Sequence, residues 1–328
     1  MKNYLAYQVT ETNERFSGKI TELPIESLPN NDVLIKVKYS SLNYKDALSA
    51  TGNKGVTRNY PHTPGIDACG IVESSKSDKF KTGDKVIVTS YDLGMNTPGG
   101  FGQYNSVPSD WIVPLPGSLS MEEAMIFGTA GLTAAAGVEN IVQDIPNDSG
   151  EVLVTGSSGG VGAIAVLLLS KLGYNIVAST GKTDEADWLK SLGAQRVIHR
   201  DELALEDKRA LLKGTWAAAF DTVGGHTLEN VIKSTREFGV ISCCGNVASA
   251  ELSLTVYPFI LRGAKLMGVS SQNLPLDKRI FLWNKLAGEW KPEQINKIKT
   301  SVQLSDLSNS IDEILQGRIR GRVVVDLG

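Results

Sequence analysis

The 328-residue chain is poor in the side chains that bind metals and form disulfides. It contains three cysteines, Cys69, Cys243 and Cys244, and three histidines. No two cysteines have the C-x-x-C spacing of a metal clip. Cys243 and Cys244 are adjacent in a strand-like run, which favours buried thiols over a disulfide. The cysteine pattern therefore predicts neither a metal clip nor a disulfide.

The chain also lacks an excess of charge of one sign. It has 33 lysines and arginines against 36 aspartates and glutamates, a formal net charge of −3 and a pI near 5.8. Proteins that bind nucleic acid or anionic membranes usually carry a basic patch or a high pI. The charge balance therefore argues against both kinds of partner.

Long hydrophobic runs are missing as well. Residues 1–16 are polar and charged, with no apolar segment of signal-peptide length. The longest weakly polar run, residues 124–138, is interrupted by Gly and Thr and is shorter than the about 20 residues of a membrane-spanning helix. With 41% hydrophobic and 21% charged residues, the composition is that of an ordinary globular protein. We expect a soluble, cytoplasmic protein.

What the chain does contain is a glycine-rich turn between an apolar strand and a helix. Residues 152–162 read VLVTGSSGGVG, and a helical pattern follows. The first N–H groups of a helix bind phosphate, and glycine lets the phosphate approach the backbone closely. The G-x-x-G-x-x-G spacing departs from the commoner G-x-G-x-x-G, so a tight turn without a ligand is the alternative. A second strand over residues 175–180 completes a βαβ unit and favours dinucleotide binding.

The end of that second strand predicts which dinucleotide binds. NAD sites usually place an Asp or Glu about 20 residues after the glycines, where it accepts the ribose 2′-hydroxyl. Here the strand ends in STGKT, and no carboxylate occurs before Asp184. Hydroxyls and the Lys182 ammonium would accept a 2′-phosphate, and Arg200, after the next strand, is a second candidate cation. We predict NADP(H); the alternative is that Lys182 and Arg200 are solvated loop charges.

Strand and helix patterns divide the chain into three parts. Residues 1–123 are short strands broken by Gly, Pro and Asn, which is typical of a mostly β domain. Residues 124–265 alternate strands with helices and predict an α/β, doubly wound parallel sheet of the Rossmann type. Residues 266–328 finish this sheet and return to the first domain. The predicted sheet strands are Val152–Thr155, Ile176–Thr180, Val197–His199, Ala217–Asp221, Val240–Cys243 and Leu266–Ser270.

Two segments near the end of the chain carry further predictions. Residues 322–327 read RVVVDL and predict a last strand that pairs in the first domain. Residues 277–290 form an amphipathic pattern whose apolar side chains are predicted to lie in the core. These side chains are Ile280, Phe281, Trp283, Leu286 and Trp290.

Six segments, in this order, resemble the zinc-free quinone oxidoreductase branch of the medium-chain dehydrogenase/reductase superfamily, and most closely its YhdH/YhfP type. The resemblance implies a GroES-like catalytic domain, a Rossmann NADP-binding domain and a homodimer formed near residues 254–268. The matching segments are SSLNYKDAL (40–48), PGIDACG (64–70), GTAGLTA (128–134), VTGSSGGVG (154–162), FDTVGG (220–225) and GRVVV (321–325).

One departure from the wider superfamily concerns the metal. Zinc-dependent alcohol dehydrogenases have a His-Glu pair where this chain has Ile66 and Asp67. Catalytic zinc needs three protein ligands and an open position, and His62, the only histidine in the region, is interpreted as a loop residue. We therefore predict no metal. Alcohol oxidation is disfavoured, whereas reduction of a carbon–carbon double bond conjugated to a carbonyl needs no metal.

The resemblance also implies which residues carry that reaction. Hydride adds to the β-carbon, donors stabilise the enolate, and a proton reaches the α-carbon. The candidate catalytic residues are Tyr44, Asn43 and Asp46, with Tyr44 as a proton donor or, alternatively, only a packing partner of the nicotinamide. The implied NADP(H) contacts are Gly156, Ser158, Gly159, Gly160, Val161, Gly162, Ala163 and Ile164 at the pyrophosphate, Thr180, Gly181, Lys182 and Arg200 at the 2′-phosphate, and Tyr44, Asn246, Ile260, Ser271 and Gln316 near the nicotinamide.

The substrate is less defined than the reaction. Acryloyl-CoA or a similar enoyl-CoA is the first candidate, with Lys45, Arg58 and Arg262 as cations for the coenzyme A phosphates. An NADPH:quinone oxidoreductase is the alternative, and a non-catalytic NADPH-binding protein is the second alternative. Asp221 and His226 are interpreted as structural, because an Asp at a strand end commonly caps the following turn.

Overall fold

The computed structural model describes residues 2–328, except for the side chain of Thr183. The chain forms two compact units. The first unit contains the residues up to Thr129 together with Ser271–Gly288 and Ile298–Gly328, and the second contains Ala130–Ser270 and Glu289–Lys297. The sequence-based domains, 1–123, 124–265 and 266–328, stay a prediction.

The helices and strands follow in chain order. The strands are β1 (Asn3–Thr12), β2 (Arg15–Pro24), β3 (Val33–Leu42), β4 (Asp67–Ser75), β5 (Lys85–Thr89), β6 (Tyr104–Val107), β7 (Ile112–Pro114), β8 (Glu151–Val154), β9 (Asn175–Thr180), β10 (Arg196–His199), β11 (Trp216–Asp221), β12 (Thr235–Cys243), β13 (Lys265–Gly268), β14 (Lys299–Gln303) and β15 (Arg322–Asp326). The α-helices are α1 (Tyr44–Ala50), α2 (Met121–Asp144), α3 (Gly160–Lys171), α4 (Ala186–Ser191), α5 (Asp201–Ala204), α6 (Gly225–Lys233), α7 (Tyr257–Arg262), α8 (Leu276–Ala287) and α9 (Leu307–Leu315). Short 3₁₀ helices lie at Ile25–Ser27, Ser109–Trp111, Thr183–Glu185, Ile295–Ile298 and Leu304–Asp306.

The second unit is built on a six-stranded parallel sheet. Its strand order is β10-β9-β8-β11-β12-β13, which is the 3-2-1-4-5-6 order of the doubly wound dinucleotide fold. The strands are almost continuously apolar and buried, as parallel strands covered on both faces should be. All six predicted strands are confirmed. The largest difference in bounds is at β12, which begins at Thr235 instead of Val240.

The first unit is mostly β, as predicted. It contains the antiparallel hairpin β1–β2 and a seven-stranded sheet of order β14-β15-β3-β4-β5-β7, with β6 also paired to β3. In β3, Val33, Ile35 and Val37 point into the core at the period of two expected of a strand. β15 pairs antiparallel with β3, with Val323 opposite Leu42. The predicted return of the last strand to this unit is therefore confirmed.

Helix α2 contains the boundary between the two units. Gly128 has φ 50° and ψ −151°, which interrupts the helical conformation one residue before that boundary. By length and composition α2 could span a membrane, and 78% of its most apolar window is buried inside the protein. A buried core helix of a globular protein can have the same length and apolar composition.

Three side-chain predictions need correction. Trp283, Leu286 and Trp290 are buried as predicted, but Ile280 and Phe281 are 36% and 40% exposed. The buried stripe of α8 instead runs through Arg279, Leu282, Trp283 and Leu286, which leaves the other two side chains on its flank. His62 is buried and forms a β-bridge with Val9, so it is not an open loop residue. Cys243 and Cys244 are free thiols, as expected, but half-buried.

Candidate cofactor and catalytic sites

The glycine-rich turn joins β8 to α3 in the second unit. Gly156 has φ +59°, and a Cβ there would lie 2.2 Å from Thr222 Oγ1. A Cβ on Gly162 would lie 2.3 Å from the Gly156 carbonyl oxygen, so only glycine allows this approach. Gly159 precedes α3, a 12-residue helix whose first N–H groups have no partner within the helix. The turn thus forms a cradle of backbone N–H groups that suits a phosphate.

The residues predicted at the pyrophosphate are contiguous with this cradle. Ala163 and Ile164 are fully buried and fix the first turn of α3. Ser157, which the sequence did not single out, secures the cradle, because its Oγ donates to the Val154 carbonyl at 2.7 Å and accepts from the Ser179 N–H at 3.1 Å. The predicted set occupies the turn and the start of α3: Gly156, Ser158, Gly159, Gly160, Val161, Gly162, Ala163 and Ile164.

The residues predicted at the 2′-phosphate also lie together, at the ends of β9 and β10. The Ser158 and Thr180 hydroxyls are 3.2 Å apart, and the Lys182 N–H donates to Thr180 Oγ1 at 3.1 Å. The Arg200 N–H donates to the Thr180 carbonyl at 2.9 Å. A Cβ on Gly181 would lie 2.7 Å from Arg200 Nε, so the guanidinium lies against the glycine. These contacts therefore bring two hydroxyls and two cationic residues to the adjacent ends of β9 and β10, and such residue types suit a 2′-phosphate.

A carboxylate that was not among the predicted residues lies beside Lys182. Glu185 Oε1 is 3.5 Å from Lys182 Nζ, and the Glu185 side chain is 8% exposed. Glu185 follows the STGKT segment on which the prediction of a 2′-phosphate site is based. The 3₁₀ turn that follows brings Glu185 back, because its N–H donates to the Lys182 carbonyl at 3.1 Å. Residues three apart in a helical turn are neighbours, which is the signal that could have identified it.

The second unit contains a pocket of about 590 Å³ at the carboxyl ends of β12 and β13. Burial and the nearby Asp221 raise the pKa of Cys244 to about 12, so its thiol is protonated at neutral pH. Asp221 caps the turn after β11 as predicted, accepting from the Gly224 N–H at 2.9 Å and from Thr155 Oγ1 at 2.7 Å. The pocket is lined by Cys243, Cys244, Gly245, Asn246, Gly268, Val269 and Ser270.

Three further residues are predicted near the nicotinamide. Ile260 is on α7 and is 66% exposed. Ser271 and Gln316 belong to the first unit, where Gln316 follows α9 and accepts a hydrogen bond from the Arg318 guanidinium. The contact of all three residues with the cofactor stays a prediction.

In the first unit, Tyr44 opens helix α1 and is 55% exposed. Asn43 and Asp46 form a capping box around the start of this helix. Asp46 is fully buried, and its carboxylate accepts from the Asn43 and Ile66 N–H groups, each at 2.8 Å. Burial and the neighbouring charge of Asp67 raise the pKa of Asp46 to about 7. Asn43 and Asp46 thus fix the backbone from which Tyr44 projects.

Asp67 is the centre of a buried polar cluster beside that helix. One carboxylate oxygen accepts from the Thr129 N–H at 2.9 Å and from Thr129 Oγ1 at 2.6 Å. The other accepts from Ser41 Oγ at 2.7 Å and from Asn43 Nδ2 at 2.8 Å, and lies 3.7 Å from Arg322. Asp67 is fully buried and Arg322 nearly so. We call these five residues the Asp67 cluster.

The Asp67 cluster does not fit a zinc ion. Asp67 occupies the position where zinc-dependent alcohol dehydrogenases have a glutamate, and both its oxygens already accept hydrogen bonds. A Cβ on Gly128 would lie 2.4 Å from Asp67 Oδ2, so the Gly128 backbone packs closely against this carboxylate. Across residues 2–328, no group of three or more His, Cys, Asp or Glu side chains is arranged to hold a metal ion. The residues present therefore do not form a zinc site.

A second polar group in the first unit surrounds Gln272. Lys45 Nζ donates to Gln272 Oε1 at 2.9 Å, and burial lowers the pKa of this lysine. The Gln272 carbonyl accepts from the Tyr91 N–H at 3.1 Å and from the fully buried Arg279 at 2.7 Å. The Arg279 guanidinium also lies 3.9 Å from the centre of the Tyr91 ring. Lys45 is therefore held by a side chain whose own backbone is fixed by a buried cation.

The three cations suggested for the coenzyme A phosphates lie in different surroundings. Arg262 donates to the carbonyls of Lys233 and Thr235 at 2.8 Å each, and also to the Leu212 carbonyl. Its guanidinium therefore holds the chain segments around α6, and its suggested role at the phosphates stays a prediction. Arg58 has an exposed side chain, and Lys45 is fixed as described above.

Comparisons with known proteins cover the whole chain. Residues 29–117 match the alcohol dehydrogenase GroES-like domain, and residues 160–282 match the family described as zinc-binding dehydrogenase. The chain is 44% identical over 326 residues to the Bacillus subtilis protein named "Putative quinone oxidoreductase YhfP", covering 99% of both chains. It is 38% identical over 328 residues to acrylyl-CoA reductase AcuI of Ruegeria pomeroyi, covering 100% of this chain and 99% of that protein.

Solved structures of proteins from the same group are also similar to this chain. The YhdH oxidoreductase of Salmonella enterica in complex with NADP superposes with a TM-score of 0.96 at 39% identity, covering 99% of this chain and 100% of that one. YhfP of Bacillus subtilis with NAD bound gives 0.97 at 43% identity, with both chains fully covered. The predicted fold and family are confirmed. The chain is an oxidoreductase of the medium-chain dehydrogenase/reductase superfamily and belongs with the YhfP/YhdH quinone oxidoreductases and the AcuI acrylyl-CoA reductases.

Proposed function

We propose that the protein is an NADPH-dependent reductase of the carbon–carbon double bond of an α,β-unsaturated carbonyl, with acryloyl-CoA or a similar enoyl-CoA as substrate and without a metal. The observation that carries this proposal is the Asp67 cluster. Its carboxylate is saturated by hydrogen bonds at the position of the glutamate in the His-Glu pair of zinc-dependent alcohol dehydrogenases. Without a metal to lower a hydroxyl pKa, conjugate reduction is the better supported chemistry.

The second unit supplies the proposed cofactor site. The turn at Gly156 and Gly162 would hold the pyrophosphate on its backbone N–H groups, and its close backbone packing requires glycine at both positions. Lys182 and Arg200 would face the 2′-phosphate, with Ser158 and Thr180 as hydroxyl donors. The relative of known structure from Salmonella enterica, which binds NADP, supports this assignment. Bound NADPH supplies the hydride.

The first unit supplies the proposed groups that handle charge and protons. Tyr44 projects a partly exposed hydroxyl from a helix start that Asn43 and Asp46 fix through the capping box. Lys45 directly follows Tyr44 in the chain. Burial lowers its pKa, and its ammonium donates a hydrogen bond to Gln272. We assign Tyr44 as the contact to the nicotinamide and proton donor, and Asn43 and Asp46 as residues that position it. Lys45 would stabilise the negative charge that develops on the carbonyl oxygen.

The remaining proposed contacts to the nicotinamide are Asn246 and three residues on other elements. Asn246 lines the pocket at the end of β12. The family resemblance alone supports the proposed contacts of the other three residues, which are Ile260, Ser271 and Gln316. Their removal should affect nicotinamide placement rather than binding of the adenosine half.

The test is a substrate screen that follows NADPH absorbance. Purified protein is given acryloyl-CoA, crotonyl-CoA and benzoquinones in parallel, with free coenzyme A as a competitor. The proposal expects turnover of the enoyl-CoA esters and competitive inhibition by coenzyme A. Turnover of quinones alone, without inhibition by coenzyme A, would favour the NADPH:quinone oxidoreductase that the name of the Bacillus subtilis relative suggests. NADPH binding with no turnover of either class would leave a non-catalytic binding protein.

We further propose that the protein is a cytoplasmic homodimer that pairs through the edge of the parallel sheet. β13 is the last strand of that sheet, and an open strand edge is a template for pairing. The neighbouring surface is apolar: Phe238, Val256, Ile260 and Leu261 are each more than 60% exposed. Exposed apolar patches of this kind mark protein interfaces. Mass measurement in solution by light scattering tests the assignment.

A further inference from the structure

We infer that Glu185 sets the preference of the second unit between NADPH and NADH. This inference rests on the proposed cofactor site. It adds to the residues that attract the 2′-phosphate a carboxylate, Glu185, that repels it. Glu185 touches Lys182, the cation assigned to that phosphate, and no residue with this role was predicted from the sequence.

The geometry fixes Glu185 beside Lys182. Glu185 ends the 3₁₀ helix Thr183–Glu185, and its N–H donates to the Lys182 carbonyl at 3.1 Å. Its side chain is buried, with Oε1 3.5 Å from the Lys182 ammonium. The second oxygen, Oε2, is also buried and has no hydrogen-bond partner in the part of the chain that the structure describes. A buried carboxylate with one unsatisfied oxygen depends strongly on the adjacent cation.

The charges around the 2′-phosphate position follow from this contact. Lys182 and Glu185 together carry no net charge. Arg200, the other cation, has a 71% exposed side chain and lies 3.9 Å from Asp201, so solvent and a second carboxylate weaken its field. A 2′-phosphate must therefore compete with Glu185 for the Lys182 ammonium.

The two dinucleotides would experience this pair differently. The phosphate of NADPH carries up to two negative charges and is repelled by Glu185 while it is attracted by Lys182. NADH presents only a hydroxyl, and the Lys182–Glu185 pair can remain intact when it binds. Glu185 thus reduces discrimination against NADH. Removing its charge should raise the affinity for NADPH on the order of three- to tenfold, given screening by water and salt.

The experiment compares Glu185→Gln with the wild-type protein and with Asp187→Asn. Asp187 is a matched control, because its carboxylate is two residues further on, is fully exposed and lies 3.8 Å from Lys190. Both substitutions raise the net charge by one. The dissociation constants of NADPH and NADH are measured by fluorescence titration at low and at moderate salt.

We expect Glu185→Gln to bind NADPH three- to tenfold more tightly, with NADH affinity within twofold of wild type and a steeper dependence of NADPH affinity on salt. Asp187→Asn should change NADPH affinity by less than twofold. Weaker or unchanged NADPH binding by Glu185→Gln would overturn the inference, because Glu185 would then orient Lys182 toward the phosphate. If Glu185→Gln does not fold, Glu185→Asp, which draws the carboxylate away from Lys182, should give a smaller gain in the same direction. A wild-type protein that binds neither dinucleotide would refute the proposed function itself.

Discussion

The buried pair of Asp67 and Arg322 gives the sharpest prediction about the first unit. We consider Asp67→Asn, which keeps the size of the side chain and removes its charge. The new amide oxygen can still accept both hydrogen bonds from Thr129. The new amide N–H₂ group, however, would face Asn43 Nδ2, which is a donor, and would leave Arg322 without its carboxylate neighbour at 3.7 Å.

The size of the effect follows from these contacts. Removing one partner of a buried ion pair costs about 3–5 kcal/mol, because the remaining charge is left buried and uncompensated. For a unit of this size, each kcal/mol lowers the melting temperature by about 2–4 °C, so the expected decrease is roughly 6–20 °C. The variant Arg322→Met should be destabilised by a similar amount. The double variant should be more stable than additivity predicts, by at least about 1 kcal/mol.

The assay is thermal and urea unfolding of the two single variants, the double variant and a matched control. Asp110→Asn is that control, because Asp110 pairs with Lys79 at 2.6 Å but has a 75% exposed side chain. An exposed pair contributes at most about 1 kcal/mol, so this variant should unfold close to wild type. Asp67→Asn with the stability of Asp110→Asn, or strict additivity in the double variant, would refute the reasoning.

Four further predictions concern single positions. Tyr44→Phe should lower the turnover number by about 100-fold if its hydroxyl donates the proton, and a rate within a few-fold of wild type would exclude that role. Lys182→Ala should raise the KM for NADPH while leaving that for NADH nearly unchanged; an equal change for both would refute its role at the 2′-phosphate. Hydrogen bonding and charge from Glu229, 2.9 Å away, raise the pKa of His226 above its ordinary value of 6.5. This contact therefore contributes stability that is complete below pH 6.5 and lost as the pH rises through the raised pKa, so wild type and His226→Gln should converge at high pH, as urea titrations at several pH values can check. Ile260→Arg, in the exposed patch near β13, should shift light scattering from dimer to monomer, and a dimer of unchanged affinity would place the interface elsewhere.

The parts of the fold that depend on local pattern could be predicted from the sequence. The strand, glycine turn and helix at residues 152–171 are encoded by neighbouring residues, and so is the burial of each parallel strand. The grouping of Thr180, Lys182 and Arg200 at the ends of β9 and β10 could also be predicted, because the carboxyl ends of adjacent parallel strands meet at one edge of a sheet. Glu185 was not predicted to lie with these residues, because its contact with Lys182 depends on the 3₁₀ turn between them.

The Asp67 cluster could not be predicted in the same way. Asp67 and Arg322 lie at opposite ends of the chain, and only the pairing of β3 with both β4 and β15 brings them together. A signal was present, since each is a charged residue within an otherwise apolar strand segment, and buried charges are rarely unpaired. That signal indicates a partner without identifying it. The partners of Arg279 could not be identified from the sequence either. Arg279 lies in the apolar stripe of α8, and its hydrogen-bond acceptors come from other segments of the unit.

Arg279 has a consequence for anyone who redesigns this part of the protein. All five of its N–H groups are used, on the carbonyls of Ser271, Gln272 and Leu274 and on the carbonyl and hydroxyl of Thr89. Lysine has only three donors and no flat face to lie against an aromatic ring, so it is no substitute here. Residues 271–274 therefore owe their conformation to one side chain beyond the loop itself. A transplant of this loop into another scaffold would have to include the arginine and its helix.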